Sequence, residues 1–154
     1  MANEAESLAL YWLSQRSLTR YELRSRLTRR GFDDERIEHL LADLISRGLV
    51  NDRRIAERVI EAGLERHEGP RRIWSRLKTR GIDTELIEKL IRQLKDETDW
   101  QEIAEPLLQR YDSSNPKERA RFIRHLAREG FPTAVIVQLV GGERGDVADG
   151  PEDY

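Results

Sequence analysis

Gly69–Leu94 reads GPRRIWSRLKTRGIDTELIEKLIRQL. Gly-Pro suits a helix N-cap followed by the first helical position. Ile73 and Leu77 stand one turn apart, and Gly81 fits the left-handed residue that ends a helix. Asp83 or Thr84 then caps a second helix with Ile87, Leu90, Ile91 and Leu94 at core spacing. On the first helix Arg72, Arg76 and Arg80 fall four apart, so they form one row beside the apolar edge.

The same phrase occurs three times. Leu-x-x-x-Gly followed by Phe or Ile stands at Leu27–Phe32, Leu77–Ile82 and Leu126–Phe131, with glycines at Gly31, Gly81 and Gly130. Eight positions before each glycine stand Leu23, Ile73 and Phe122; six after stand Ile37, Ile87 and Ile136. An upstream helix repeats as well, through Leu8-Ala9, Ile55-Ala56 and Ile103-Ala104. Matches at this many aligned positions indicate an all-α fold of three tandem three-helix repeats, helix-turn-helix-like, over 4–50, 51–97 and 98–142. Units of about 50 residues bury little core alone. They must pack on their neighbours, which predicts an elongated or curved array. The segment 143–154 carries five acids and one arginine without a core pattern and is expected to be a disordered acidic tail.

Helix signals fill in the chain. Thr19-x-x-Glu22 and Asp99-x-x-Glu102 read as capping boxes, and Asn115-Pro116-x-Glu118 as a strong start. The repeats differ around His67-Glu68-Gly69, where extra residues predict a longer loop. Gly63 should weaken its helix, and Pro106 should kink its own or shift the start. Ala134–Val140 has strand propensity, but the repeat register makes it helical.

The chain of 154 residues contains no cysteine, which excludes disulfides and thiolate chemistry. It shows neither a signal-peptide pattern nor an apolar run of membrane-spanning length. A cytoplasmic monomer without membrane contact is expected. Net charge is only −2, but it is segregated. Arg16–Arg30 and Arg66–Arg80 each hold six basic residues and one acid, whereas Asp33–Leu44 holds one basic residue and five acids. Positive charge thus collects on the second helix of each unit, and in the first unit negative charge collects on the third helix. Arginine supplies 23 of 27 basic residues, which favours bidentate contact with phosphate or carboxylate.

No enzyme constellation stands out. His39, His67 and His125 lack metal-ligand spacing, acid pairs such as Asp33-Asp34 fit caps, and no phosphate loop is present. No catalytic residue, metal or cofactor is expected. The candidate partner-binding residues are Arg26, Arg30, Arg72, Arg76, Lys78, Arg80, Arg121, Arg124 and Arg128. The competing reading is a solvated face making weak salt bridges to the acidic third helices. Trp12 and Trp100 read as packing residues, whereas Trp74, off the centre of the apolar stripe, reads equally well as packed or as a binding residue.

Three stretches carry a resemblance. Tyr21-Glu22-Leu23-x-x-x-Leu27-x-x-x-Gly31-Phe32, Gly48-Leu49-Val50-Asn51-Asp52-x-x-Ile55-Ala56 and Gly69-Pro70-Arg71-Arg72-Ile73-x-x-x-Leu77-x-x-x-Gly81-Ile82 resemble the RecX family, bacterial regulators of the RecA recombinase. The resemblance runs over about Ala5–Gly142 and is looser in the third repeat. It implies three tandem three-helix repeats and a non-catalytic protein that binds RecA filaments on single-stranded DNA, along the filament's helical groove. It further implies restraint of RecA's ATP hydrolysis, strand exchange and coprotease activity, through blocked filament growth or disassembly, with some affinity for DNA itself. The chain departs from the family pattern at Asn51-Asp52 and Ile55, where an acidic pair and an aromatic are usual. It departs again at Gly63 and Glu65, where basic residues are usual. A plain DNA-binding helical module, on single- or double-stranded DNA, and a passive scaffold are the alternatives.

Overall fold

A computed structural model describes residues 3–141. The described residues form nine α-helices and no strand. Repeat 1 holds α1 (Glu4–Gln15), α2 (Arg20–Arg29) and α3 (Asp34–Ser46); repeat 2 holds α4 (Asp52–Glu65), α5 (Pro70–Thr79) and α6 (Thr84–Glu97); repeat 3 holds α7 (Trp100–Leu108), α8 (Pro116–Arg128) and α9 (Thr133–Leu139). The acidic segment 143–154 lies outside the described residues.

The helices begin where side chains satisfy their first N–H groups. Thr19 and Glu22 make a reciprocal capping box on α2, and Asp33, Asn51 and Asp83 cap α3, α4 and α6. Asp99 caps α7, and Pro106 is accommodated inside that nine-residue helix without moving its start. Asn115 caps α8, but Glu118 bonds the Asp112 N–H instead of closing the box on its own cap. Each second helix stops at a glycine with positive φ: +89° at Gly31, +75° at Gly81 and +87° at Gly130. The last segment is helical, as the register requires, with Ile136 buried.

The hydrophobic residues divide into two cores. One is internal to repeat 1 and contains Leu18, Leu23, Leu27, Ile37, Leu41 and Leu44. The other runs without a break through repeats 2 and 3, from Ala56, Ile73 and Leu77 to Phe122, Leu126, Phe131 and Ile136. Within repeat 3, Trp100 meets Phe131 edge to face at 6.5 Å, and both belong to this shared core. Trp12, Trp74 and Trp100 all pack on these cores. Gly63 is a close-approach site rather than a weak point, because a Cβ there would lie 2.7 Å from Ile73 Cγ1.

Candidate anion-binding site

The second helices touch in a repeated way. The N-terminus of α2 docks on the turn that ends α5, and the N-terminus of α5 docks on the turn that ends α8. At the first junction the Thr19 hydroxyl donates to the Arg80 carbonyl at 2.7 Å, and the Tyr21 ring lies where a Cβ on Gly81 would stand. At the second, the Gly69 N–H donates to the Glu129 carbonyl at 2.6 Å and the Arg71 N–H to the Gly130 carbonyl at 3.1 Å. A salt bridge crosses each: Arg80 Nη2–Glu22 Oε1 at 2.7 Å and Arg72 Nη1–Glu129 Oε1 at 3.5 Å.

This docking leaves an open cleft of about 900 Å³. Its floor is the apolar flank of α4, through Ile55, Val59 and Ala62, and its walls come from the end of α1, from α5 and from the end of α8. Eight arginines line it: Arg16, Arg58, Arg66, Arg71, Arg72, Arg76, Arg80 and Arg128. Among the described residues, no acidic one does. All three repeats contribute, so the cleft is continuous where the hydrophobic core is not.

Beneath the cleft lies Glu68, which sequence reasoning assigned to a loop. Its side chain is 2% exposed and accepts from Arg66 Nε at 2.9 Å and Arg76 Nε at 2.5 Å, while Arg72 Nε is ion-paired with it at 2.9 Å. Burial pushes the Glu68 carboxyl up, but the hydrogen bonds from Arg76 and Arg66 outweigh it and hold the carboxyl below its ordinary value. The Glu22 carboxyl is also held low: burial opposes, and the Arg80 guanidinium and the Thr19 N–H prevail. The balance is reversed at Asp52 beside the same junction. There burial prevails over the hydrogen bond from the Arg20 N–H, and the carboxyl is pushed up.

Of the nine residues singled out from the sequence, the cleft gathers Arg72, Arg76, Arg80 and Arg128. Arg26 and Arg30 instead lie over the Trp12 ring, at 5.6 and 5.8 Å from its centroid. Lys78 bonds the Thr84 hydroxyl at 2.5 Å, and Arg121 and Arg124 are exposed on α8 outside the cleft. Arg16, Arg58, Arg66 and Arg71 were missed. Arg20 and Arg24 do bridge to Glu38 on α3, as the solvated-face reading expects, but the Arg72–Arg76–Arg80 row pairs with Glu68, Glu22 and Glu129. Arg16, Arg71 and Arg128 have no acidic partner among the described residues.

Two histidines make structural contacts: His67 Nδ1 is 3.1 Å from the Ile103 carbonyl, and His125 stands between the Tyr111 hydroxyl, 3.0 Å from Nδ1, and Glu129 Oε1, 3.5 Å from Nε2. Among the described residues no group of His, Asp and Glu could hold a metal ion, and no helix is long and apolar enough to cross a membrane.

Comparison with known proteins accords with this architecture. Residues 5–44 match the model of the first three-helix domain of RecX, and 51–91 match that of the second. Proteins named regulatory protein RecX are similar along most of their length. That of Chromohalobacter salexigens is 36% identical over 126 residues, covering 80% of this chain and 82% of that protein. That of Syntrophotalea carbinolica is 34% identical over 151 residues, covering 92% and 97%. The crystal structure of RecX from Lactobacillus salivarius superposes with a TM-score of 0.76 over 89% of this chain and 92% of that one; at 24% identity it supports the fold alone. The domain matches span more than half the chain and the relatives exceed 30% identity over most of it, so this chain belongs to the RecX family.

Proposed function

We propose that this chain is a non-catalytic regulator that binds RecA filaments on single-stranded DNA and inhibits RecA's ATP hydrolysis, strand exchange and coprotease activity. The reading rests on the family and on one observation, the cleft that eight arginines and, among the described residues, no acid line across all three repeats. Guanidinium groups gathered in one cleft attract phosphate or carboxylate, and clustered like charge speeds encounter with a polyanion. Units 4–50, 51–97 and 98–142 would each supply one part of the contact. Arg72, Arg76, Arg80 and Arg128 would act there with Arg16, Arg58, Arg66 and Arg71; Arg26, Arg30, Lys78, Arg121 and Arg124 would serve as outlying contacts. A cytoplasmic monomer held against a filament would oppose protomer rearrangement during the ATP cycle, block growth at an end, or promote disassembly.

The experiment is RecA's ATP hydrolysis on single-stranded DNA, titrated with this protein far below the RecA concentration, beside a binding titration on bare single- and double-stranded DNA. Inhibition at substoichiometric amounts with weak DNA binding supports action on the filament. Inhibition only at amounts that coat the DNA makes the protein a competitor for DNA instead.

A further inference from the structure

Glu68 is the one acid in the strongly basic window Arg66–Arg80, and it is buried where a carboxylate needs partners. It has three. Arg66 and Arg76 donate to it through Nε, and Arg72 Nε is 2.9 Å away. The carboxylate is 2% exposed, whereas the side chains of Arg66, Arg72 and Arg76 are 55%, 40% and 39% exposed. All three arginines also line the cleft. The contacts therefore hold each guanidinium by its inner nitrogen. Arg72 Nη1 makes one long contact, 3.5 Å to Glu129; Arg66 and Arg76 bond Glu68 through Nε alone. An arginine fixed in this way loses little freedom when its terminal nitrogens close on an oxyanion.

We propose that Glu68 is a positioning residue: it fixes Arg66, Arg72 and Arg76 so that their terminal nitrogens bind the phosphodiester backbone of single-stranded DNA in the cleft. This rests on the anion-binding role given to the cleft above. The structure favours phosphate because three guanidiniums share one carboxylate and keep an excess of positive charge, and because the neighbouring Arg71 and Arg128 have no acidic partner among the described residues. Successive arginines on α5 stand one helical turn apart, about 6 Å along the axis, which suits a chain of regularly spaced charges.

The test turns on the sign of an effect. Glu68→Gln removes one negative charge beside the cleft and so raises its net positive charge by one. If Glu68 only offsets charge, a fluorescent oligo(dT) strand should bind tighter and with a steeper salt dependence. If Glu68 positions the arginines, the strand should bind about tenfold more weakly despite the added charge, with a shallower salt dependence. Because removal of a buried carboxylate can unfold a chain, Arg66→Lys/Arg72→Lys/Arg76→Lys is made beside it. That variant keeps every charge and can still pair with Glu68, but lysine's donors sit on one nitrogen, so it has no separate terminal nitrogens to aim at the strand. Its oligo(dT) affinity should also fall about tenfold. Affinity within twofold of wild type in this folded variant, or tighter binding by Glu68→Gln, overturns the proposal. Charge reversal of the unpaired pair, Arg71→Glu/Arg128→Glu, separates the two readings. If it abolishes binding while the Glu68 and lysine variants bind normally, the cleft is the site and the positioning role is wrong. If it has no effect, the cleft itself is not the site.

Discussion

Twelve positions before the glycine that ends each helix, Thr19 caps α2 and Gly69 caps α5, and both residues reach the carbonyl immediately before the next repeat's glycine. The two junctions are equivalent in place and different in means. The first is made by side chains: a hydroxyl on a carbonyl, a tyrosine ring over Gly81, and Arg80 held by Glu22 and by the Ser17 carbonyl at 3.2 Å. The second is made by backbone, two N–H groups on two carbonyls, with one hydrophobic core running beneath it. A polar seam between two cores contributes less than a shared core and can open without exposing either interior. The comparison teaches that a repeat can conserve a docking geometry while changing how firmly it is held. The expectation for this chain is that repeats 2 and 3 unfold as one cooperative body and repeat 1 as another.

The largest effect that could break this picture comes from Phe131→Ala, which empties a 3% exposed site in the shared core. It should cost about 4 kcal/mol. Hydrogen exchange should then rise together in repeats 2 and 3 and stay protected in α2 and α3; equal loss in all three repeats would remove the division. Next, Gly69→Ala places a Cβ 2.4 Å from the Gly130 carbonyl carbon and oxygen. It should cost about 3 kcal/mol through overpacking, visible as a lower urea midpoint, whereas Thr19→Ala at the equivalent place should cost about 1 kcal/mol.

The salt bridges give a smaller and more pointed test. Glu22→Arg should cost about 2 kcal/mol, and adding Arg80→Glu should recover about half of it in a double-mutant cycle. A cycle with no coupling would leave the first junction to Thr19 and Tyr21. The smallest effect is in acid. Glu68 and Glu22 have depressed carboxyls, so their stabilisation is present above the ordinary glutamate value of about 4.3 and is lost as pH falls through their lower folded values. Asp52 at the first junction is raised, so it costs stability at neutral pH and recovers it in acid. The first junction thus has opposing groups, and acid sensitivity should track Glu68: Glu68→Gln should flatten the fall in melting temperature between pH 5 and 3, about the range where such carboxyls titrate. A slope equal to wild type would assign the sensitivity elsewhere.

Much of this was legible in the chain, and the exceptions have physical causes. Caps, glycine stops and core positions are local, so Thr19, Asn115 and Gly81 announce themselves, whereas the structure chooses Asp83 over Thr84. Glu68 does not, because it falls in the segment where repeat 2 is longer than repeat 1 and has no counterpart to align with. Its one signal is that it is the single acid among six basic residues. The division of the core was hidden because it depends on which repeat faces Trp100 and Phe131, and periodicity says nothing of that. The junction salt bridges left a trace. The arginine row is broken by Glu22, nine positions before Gly31, and by Glu129, one before Gly130. Each of those acids meets an arginine of the adjoining repeat, at the opposite end of the row.

The measurement that tests the cleft most directly is inhibition of RecA's ATP hydrolysis on single-stranded DNA by Arg71→Glu/Arg128→Glu, at the same substoichiometric concentrations as wild type. Neither side chain has an acidic partner among the described residues, so the fold should be unchanged by thermal melting. Loss of inhibition by tenfold or more is the result the account predicts; inhibition equal to wild type by the folded variant would contradict it.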